Sequence, residues 1–158
     1  MPLRREVFLF VSFPRDDLVT DFIIIILDFK KAKELFDQVF AVQKELLLFH
    51  DASLVATEAQ LFETNLKLEA WPTCLQFGGL LVEAYRSCSF PHPMLGIQLM
   101  LNGKIHWFLH DSLAAYRNFE DAVVPLSLTH GPNHQVITHQ LRPLLGQARL
   151  DLEGKQQK

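Results

Sequence analysis

The stretch GIQLMLNGKIHWFLHDS, residues 96–112, decides how the fold is predicted. Asn102-Gly103 lies between two apolar runs, and this dipeptide favours a β-hairpin because a type I′ turn needs two positive φ angles. With these two residues as the loop, Leu99 faces His106 across the paired strands. Both faces of the hairpin are then largely apolar, so we expect other elements to cover it on both sides.

The two histidines of this stretch do not predict a metal site. His106 and His110 share one face of the predicted strand, but four residues of a strand span ~13 Å and Phe108 stands between them. One ion cannot bind both rings at bonds of ~2 Å. The ordinary interpretation is a histidine at the edge of the core, bonded to backbone. Each ring also remains a candidate polar group of a cavity, or a proton carrier.

Two apolar runs upstream are predicted to be strands. Val7 to Phe13 is rich in β-branched and aromatic residues and is closed by Pro14. The four isoleucines of 23–26 are apolar on both faces, which favours a central, covered strand. Neither run is long enough to span a bilayer, which takes ~20 residues, and the first lacks a signal-peptide cleavage site.

A long amphipathic helix is predicted over residues 29–49, with Asp28 as its N-cap. Its apolar residues recur every three or four positions, which is the helical period. The residues predicted to be buried are Leu35, Phe36, Val39, Val42 and Leu46.

The remaining elements complete an α+β fold. Asp51 or Ser53 is expected to cap a second helix, with Val55, Ala59, Phe62 and Leu66 along one side, and Asp111 or Ser112 to begin a short one. Residues 66–71 and 74–87 are predicted strands, interrupted by Pro72 and bent at Gly78-Gly79. The expected architecture is a mostly antiparallel sheet with one long amphipathic helix and one or two shorter helices packed on it. Residues 1–152 form one α+β domain, and 153–158 form a frayed tail; no internal repeat is recognised.

Composition limits the function classes. The chain has 158 residues, 49% of them hydrophobic, with 13 Phe against 2 Tyr and 2 Trp. Phe has no polar group and favours full burial, so the surplus indicates a dense core, an apolar cavity or an apolar interface. The net charge of −3 argues against nucleic-acid binding, which needs a basic face.

Known reaction motifs and metal motifs are incomplete. Cys74 and Cys88 form no metal or redox motif, and whether they pair is left open. The turn at 131–133 brings His130 and His134 toward each other, but no metal-ligand spacing is met. The G-x-S-x-G elbow and phosphate-binding loops are missing, so no cofactor is predicted. Without a secretory signal, the expected location is the cytoplasm, away from membranes.

The leading hypothesis is a non-enzymatic protein-binding or adaptor domain that acts through an apolar surface on a protein partner or on its own copy, as a homodimer. The alternative is a pocket for a small apolar or aromatic ligand, which could be an enzyme with His106 or His110 as general base. The site is expected against residues 96–110 and not at 130–139. The candidate ligand-binding residues are Tyr85, His106, Trp107, Phe108 and His110.

Overall fold

The computed structural model describes residues 18–48 and 50–156, and the surroundings of side chains within 25–48 and 50–154. The described chain contains six α-helices and a π-helical segment, Val136–Leu141, that leads into the last helix. The helices are α1 (Leu18–Leu46), α2 (Ala52–Lys67), α3 (Trp71–Arg86), α4 (Pro93–Phe108), α5 (Ser112–His130) and α6 (Arg142–Gln156). No strand occurs in these residues, so the α+β prediction is wrong.

The predicted hairpin at 96–110 is helix α4, and its Asn-Gly pair lies buried in the middle of that helix. A Cβ atom added to Gly103 would lie 2.6 Å from the Cε1 atom of Phe119 in α5. Asn102 accepts a hydrogen bond at 3.0 Å from the Nε2 group of Gln98, one turn earlier. The dipeptide therefore permits close helix packing and does not form a turn, because tertiary contact overrides the local signal.

The isoleucines of 23–26 lie within α1, so the predicted central strand is also wrong. β-branched residues are only slightly poorer helix formers than others, and a long helix accommodates several of them. The predicted strand at 7–13 lies outside the described residues. The helix predicted from residue 29 is confirmed as far as Leu46, but it begins at Leu18, so Asp28 is not its N-cap.

The buried face of α1 was assigned to the wrong side. Phe36 and Phe40 pack against a cluster of buried side chains from α2 and α3 that includes Leu61, Phe62 and Phe77, which we call the α2–α3 cluster. The Phe40 ring meets the Phe77 ring edge-on, with centroids 5.3 Å apart. The other residues predicted to be buried are exposed: Leu35, Val39, Val42 and Leu46. The apolar stripe of α1 is wider than the single helix that covers it. Of the helices described, none combines the length and apolarity needed to cross a bilayer.

The predicted strands at 66–71 and 74–87 belong to the end of α2 and to α3. Asp51 caps α2 as predicted, accepting a hydrogen bond at 2.8 Å from the Ser53 amide. Pro72 lies in the first turn of α3. Backbone N–H groups there have no partner within the helix, so the absence of one in proline does not cost a hydrogen bond. Gly78 lies against α4, where an added Cβ would collide with the Asn102 side chain. Pro72, which was predicted to interrupt a strand, therefore lies at the start of a helix, and Gly78, which was predicted to bend one, allows two helices to pack closely.

Two helical hairpins form the body of the protein. The α2–α3 hairpin and the α4–α5 hairpin each have a three-residue connection, and equivalent helices begin 41 residues apart. Cys74 and Ala115, both fully buried, occupy equivalent positions in the two hairpins. Each helix packs mainly on its neighbours in sequence. A period of ~40 residues with contacts mainly between neighbouring helices is typical of α-helical repeat proteins, a repeat that we did not recognise in the sequence.

Candidate functional site

The five residues predicted to form a ligand site do not meet in one place. Four of them, His106, Trp107, Phe108 and His110, follow one another around the end of α4, so they point in different directions. Tyr85 lies on α3 and faces a separate groove. The predicted strand geometry would have divided them between two faces, whereas the helix distributes them around its axis.

His106 is tied to the start of α5. Its Nδ1 atom lies 3.5 Å from the Oδ2 atom of Asp111, while Oδ1 of Asp111 caps α5 by accepting a hydrogen bond at 3.1 Å from the Ala114 amide. His110 has a φ angle of 64°, a left-handed conformation that closes the connection between the two helices. These side chains hold the junction between α4 and α5.

Trp107 and Phe108 connect α4 to other helices. The Trp107 Nε1 group donates a hydrogen bond at 2.8 Å to the Oδ2 atom of Asp151 in α6. The Phe108 ring lies 5.0 Å, centroid to centroid, from the Trp71 ring at the start of α3. Both aromatic residues therefore contribute to the packing of the helical array.

An apolar groove lies between α2 and α4, the first helices of the two hairpins, with α3 behind it. We call it the α2–α4 groove. Its volume is about 370 Å³, and it is open on one side. Its walls are mainly apolar and include Ala59, Phe62, Leu66, Leu81, Met94 and Leu101. Glu63 and Lys67 supply charges on the α2 side.

Tyr85 is fixed at the edge of the α2–α4 groove. Its ring stacks on the His92 imidazole, with centroids 4.4 Å apart and planes inclined by 3°. Burial raises the pKa of the Tyr85 hydroxyl, and the Glu58 carboxylate and Cys88 raise it further. Burial also raises the pKa of the Glu58 carboxyl, with the nearby Glu83 charge as the second cause. Tyr85 thus remains a protonated hydrogen-bond donor in a rigid position.

Gln98 supplies a second polar group in the α2–α4 groove. It is buried, and its amide nitrogen is used in the hydrogen bond to Asn102. That bond fixes the orientation of the side chain and leaves the amide oxygen as the atom that can accept from a partner. The groove therefore combines apolar walls with a few polar side chains, Glu63, Lys67, Tyr85 and Gln98, as ligand-binding surfaces commonly do.

The later histidines are close together, as their turn suggested. The rings of His130 and His134 lie 5.2 Å apart. Nδ1 of His130 shares a hydrogen bond at 2.8 Å with the Thr129 hydroxyl, and Nδ1 of His134 accepts one from the Val136 amide. Within the described part of the chain, no three side chains of metal-binding type come together here or elsewhere.

The two cysteines are unpaired. Cys74 is fully buried, its thiol donates to the Phe62 carbonyl at 3.5 Å, and burial raises the pKa of the thiol to about 12. Cys88 is half-buried against the Ala84 carbonyl. Cys74 is therefore a packing residue, since the reactive form of a cysteine is the thiolate.

Sequence reasoning missed most of the groove. It selected Tyr85 but not Phe62, Met94 or Gln98, because the groove is formed by three helices, α2, α3 and α4, that the strand prediction did not contain. If residues 93–108 had been predicted to form a helix, Gln98 and Leu101, which are three positions apart, would have been placed near one face.

Comparison with known proteins finds a distant similarity. No family model matches the chain. Over 130 residues, or 82% of its length, the chain is 27% identical to an Arabidopsis thaliana protein named histone-lysine N-methyltransferase ASHR1. The matched part is 27% of that protein, so the chain spans about a quarter of the length of this relative.

Proposed function

We propose that this chain is a non-catalytic protein-interaction module that binds a segment of a partner protein in the α2–α4 groove. The observation that carries the proposal is the groove itself: an open apolar channel of about 370 Å³ between the first helices of two stacked hairpins. Helical repeat arrays commonly use such extended surfaces for partners. The groove would take an aliphatic or aromatic side chain, while Gln98 and Tyr85 bond the partner backbone.

The similarity to a methyltransferase is consistent with a supporting role. We infer that a chain of this kind serves a lysine methyltransferase by holding the substrate protein or a regulatory protein, while methyl transfer takes place elsewhere. The groove offers binding groups, and burial raises the pKa of Tyr85, which lines it, and the pKa of Glu58 near Tyr85. A cytoplasmic location is our further expectation, to which the unpaired Cys74 and Cys88 are suited.

A small apolar ligand is the other occupant that the sequence suggested. The form of the groove favours a protein segment, because pockets for small ligands enclose most of the ligand surface and this groove is open along one side.

The proposal can be tested by selecting 12-residue peptides from a displayed library against the whole chain. We expect the selected peptides to carry an apolar anchor residue. Met94→Glu places a charge at the groove and should weaken their binding at least tenfold, the equivalent of about 1.4 kcal/mol. Val124→Glu is the matched control, since Val124 is an exposed apolar residue of α5 that does not line the groove.

Two outcomes would contradict the proposal. One is a set of selected peptides that bind the Met94→Glu and Val124→Glu variants equally well, which would place their site elsewhere. The other is transfer of a labelled methyl group to histones by this chain alone, which would make it an enzyme. Isothermal titration calorimetry measures the peptide binding, and a filter-binding assay measures the methyl transfer.

A further inference from the structure

The outer side of α1 carries a row of exposed aliphatic side chains. Leu35 is 63% exposed, Val39 44%, Val42 57% and Leu46 76%. We call these four residues the α1 seam. Their spacing of four, three and four residues is that of the a and d positions of a coiled coil, so all four lie on one narrow stripe of the helix. The part of the chain that the structure describes leaves this stripe open to solvent.

The seam is distinct from the side of α1 that packs on α2. At 100° per residue, it lies roughly 100° around the helix axis from Phe36 and Phe40, which face the α2–α3 cluster. A second helix can therefore lie along the seam without displacing α2.

The order of residues along the seam indicates what covers it. Read in either direction, the seam is leucine, valine, valine, leucine with the same spacing. A two-fold axis requires a surface that is complementary to itself, with residue i meeting residue j and j meeting i. If two copies of α1 lie antiparallel about a point between Val39 and Val42, Leu35 meets Leu46 of the second copy and Val39 meets its Val42.

We propose that the chain forms a two-fold homodimer through antiparallel pairing of the α1 seams. On one flank of the seam, Gln38 comes nearly level with Glu45 of the second copy. This interface is separate from the α2–α4 groove, and no seam residue lines that groove.

The exposed area of the seam predicts a dimer of limited strength. The four side chains expose roughly 900 Å² of surface over two copies, close to the ~1,000 Å² at which specific interfaces begin. Polar flanks add to this area. We therefore expect a dimer that dissociates on dilution through the micromolar range.

Sedimentation of the whole chain over a dilution series tests the association. We expect a mass near twice the 18.2 kDa of one chain at high concentration, falling to 18.2 kDa on dilution. Leu46→Glu should keep the chain monomeric at every concentration. Leu48→Glu is the matched control, because Leu48 is 85% exposed two residues further on and outside the seam. A monomer at all concentrations, or dissociation by both variants equally, overturns the proposal.

Disulfide cross-linking tests the antiparallel register, in a Cys88→Ser background that leaves only the buried Cys74. We expect a mixture of Leu35→Cys and Leu46→Cys chains to cross-link on mild oxidation, because facing Cα atoms lie within the ~7 Å that a disulfide spans. Leu35→Cys chains alone should not cross-link, since the two copies of residue 35 are about 16 Å apart along the helix axis in this register. Cross-linking of Leu35→Cys with itself means parallel helices and overturns the proposed geometry.

Discussion

The contact between Gly103 and Phe119 sets the distance between α4 and α5. The Phe119 ring is fully buried and lies where a side chain at position 103 would project. Gly96, two turns earlier on α4, faces Leu126 of α5 in the same way. Glycine is used at these positions because the α5 side chain fills the space, although it is a poor helix former.

We expect Gly103→Ala to destabilise the protein by about 1–3 kcal/mol, because the new methyl group would overlap a ring that cannot move aside. Gly79→Ala in α3 is the control: no atom lies within 4 Å of the added Cβ, so better helix propensity should stabilise by up to about 1 kcal/mol. Urea denaturation measures both. A Gly103→Ala protein as stable as the parent would mean that α4 and α5 are further apart than described.

The buried thiol of Cys74 gives a prediction for alkaline pH. Its pKa is about 12 in the folded chain against 9.0 for an unperturbed thiol, and burial is the cause. Above pH 9 the unfolded chain loses this proton and the folded chain keeps it, so the Cys74 contribution to stability declines as the pH rises toward 12. Below pH 9 that contribution is complete.

Cys74→Ala should therefore lose less stability than the parent between pH 8 and pH 10.5, when both are unfolded in urea at each pH. In the folded parent, a thiol-specific reagent at pH 8 should modify Cys88 and leave Cys74 unmodified until urea is added. Rapid modification of both thiols in the folded chain would show that Cys74 is accessible.

At the scale of elements, helix α6 is attached to the other helices both by packing and by a side-chain hydrogen bond. Helices α4 and α5 and the π-helical segment share a core in which Phe119, Leu126 and Leu141 are fully buried. Helix α6 packs against α5, and the Trp107–Asp151 hydrogen bond adds a direct connection to α4. Because the donor belongs to a half-buried aromatic side chain and the acceptor is charged, this bond is stronger than a solvent-exposed ion pair.

Asp151→Ala should cost about 1–2 kcal/mol and should increase amide exchange mainly within α6, residues 142–156, because the bond to α4 is lost. Glu153→Ala removes only the exposed Arg149–Glu153 pair and should cost less than about 0.5 kcal/mol. Hydrogen exchange followed by mass spectrometry distinguishes the two variants. Equal protection of α6 in both would show that Asp151 does not hold this helix.

At the scale of the whole molecule, the two proposed surfaces lie on different parts of the array. The α2–α4 groove uses the first helices of both hairpins, while the α1 seam lies on the outer side of the preceding helix. A dimer through the seams would therefore leave two grooves available to partners. Met94→Glu and Leu46→Glu should act independently: the first should weaken peptide binding without changing the mass, and the second should do the reverse.

The sequence by itself determined the features that depend on neighbouring residues. The helical period of 29–46 was recognised because it repeats over five turns, and the Asp51 cap because a short acceptor before an apolar run satisfies free amide groups locally. The start of α5 after Asp111 was recognised for the same reason.

Only the tertiary structure decided whether 66–110 is helix or sheet, which side of α1 is buried, and which side chains form the groove. Helix α4 contacts α3 on one side and α5 on another, so it is apolar nearly all round and shows no helical period. Local preferences differ by a few tenths of a kcal/mol per residue, so an Asn-Gly pair cannot impose a turn. Close packing of Gly103 on Phe119 outweighs that preference, because it brings two whole helices together and buries the side chains of both.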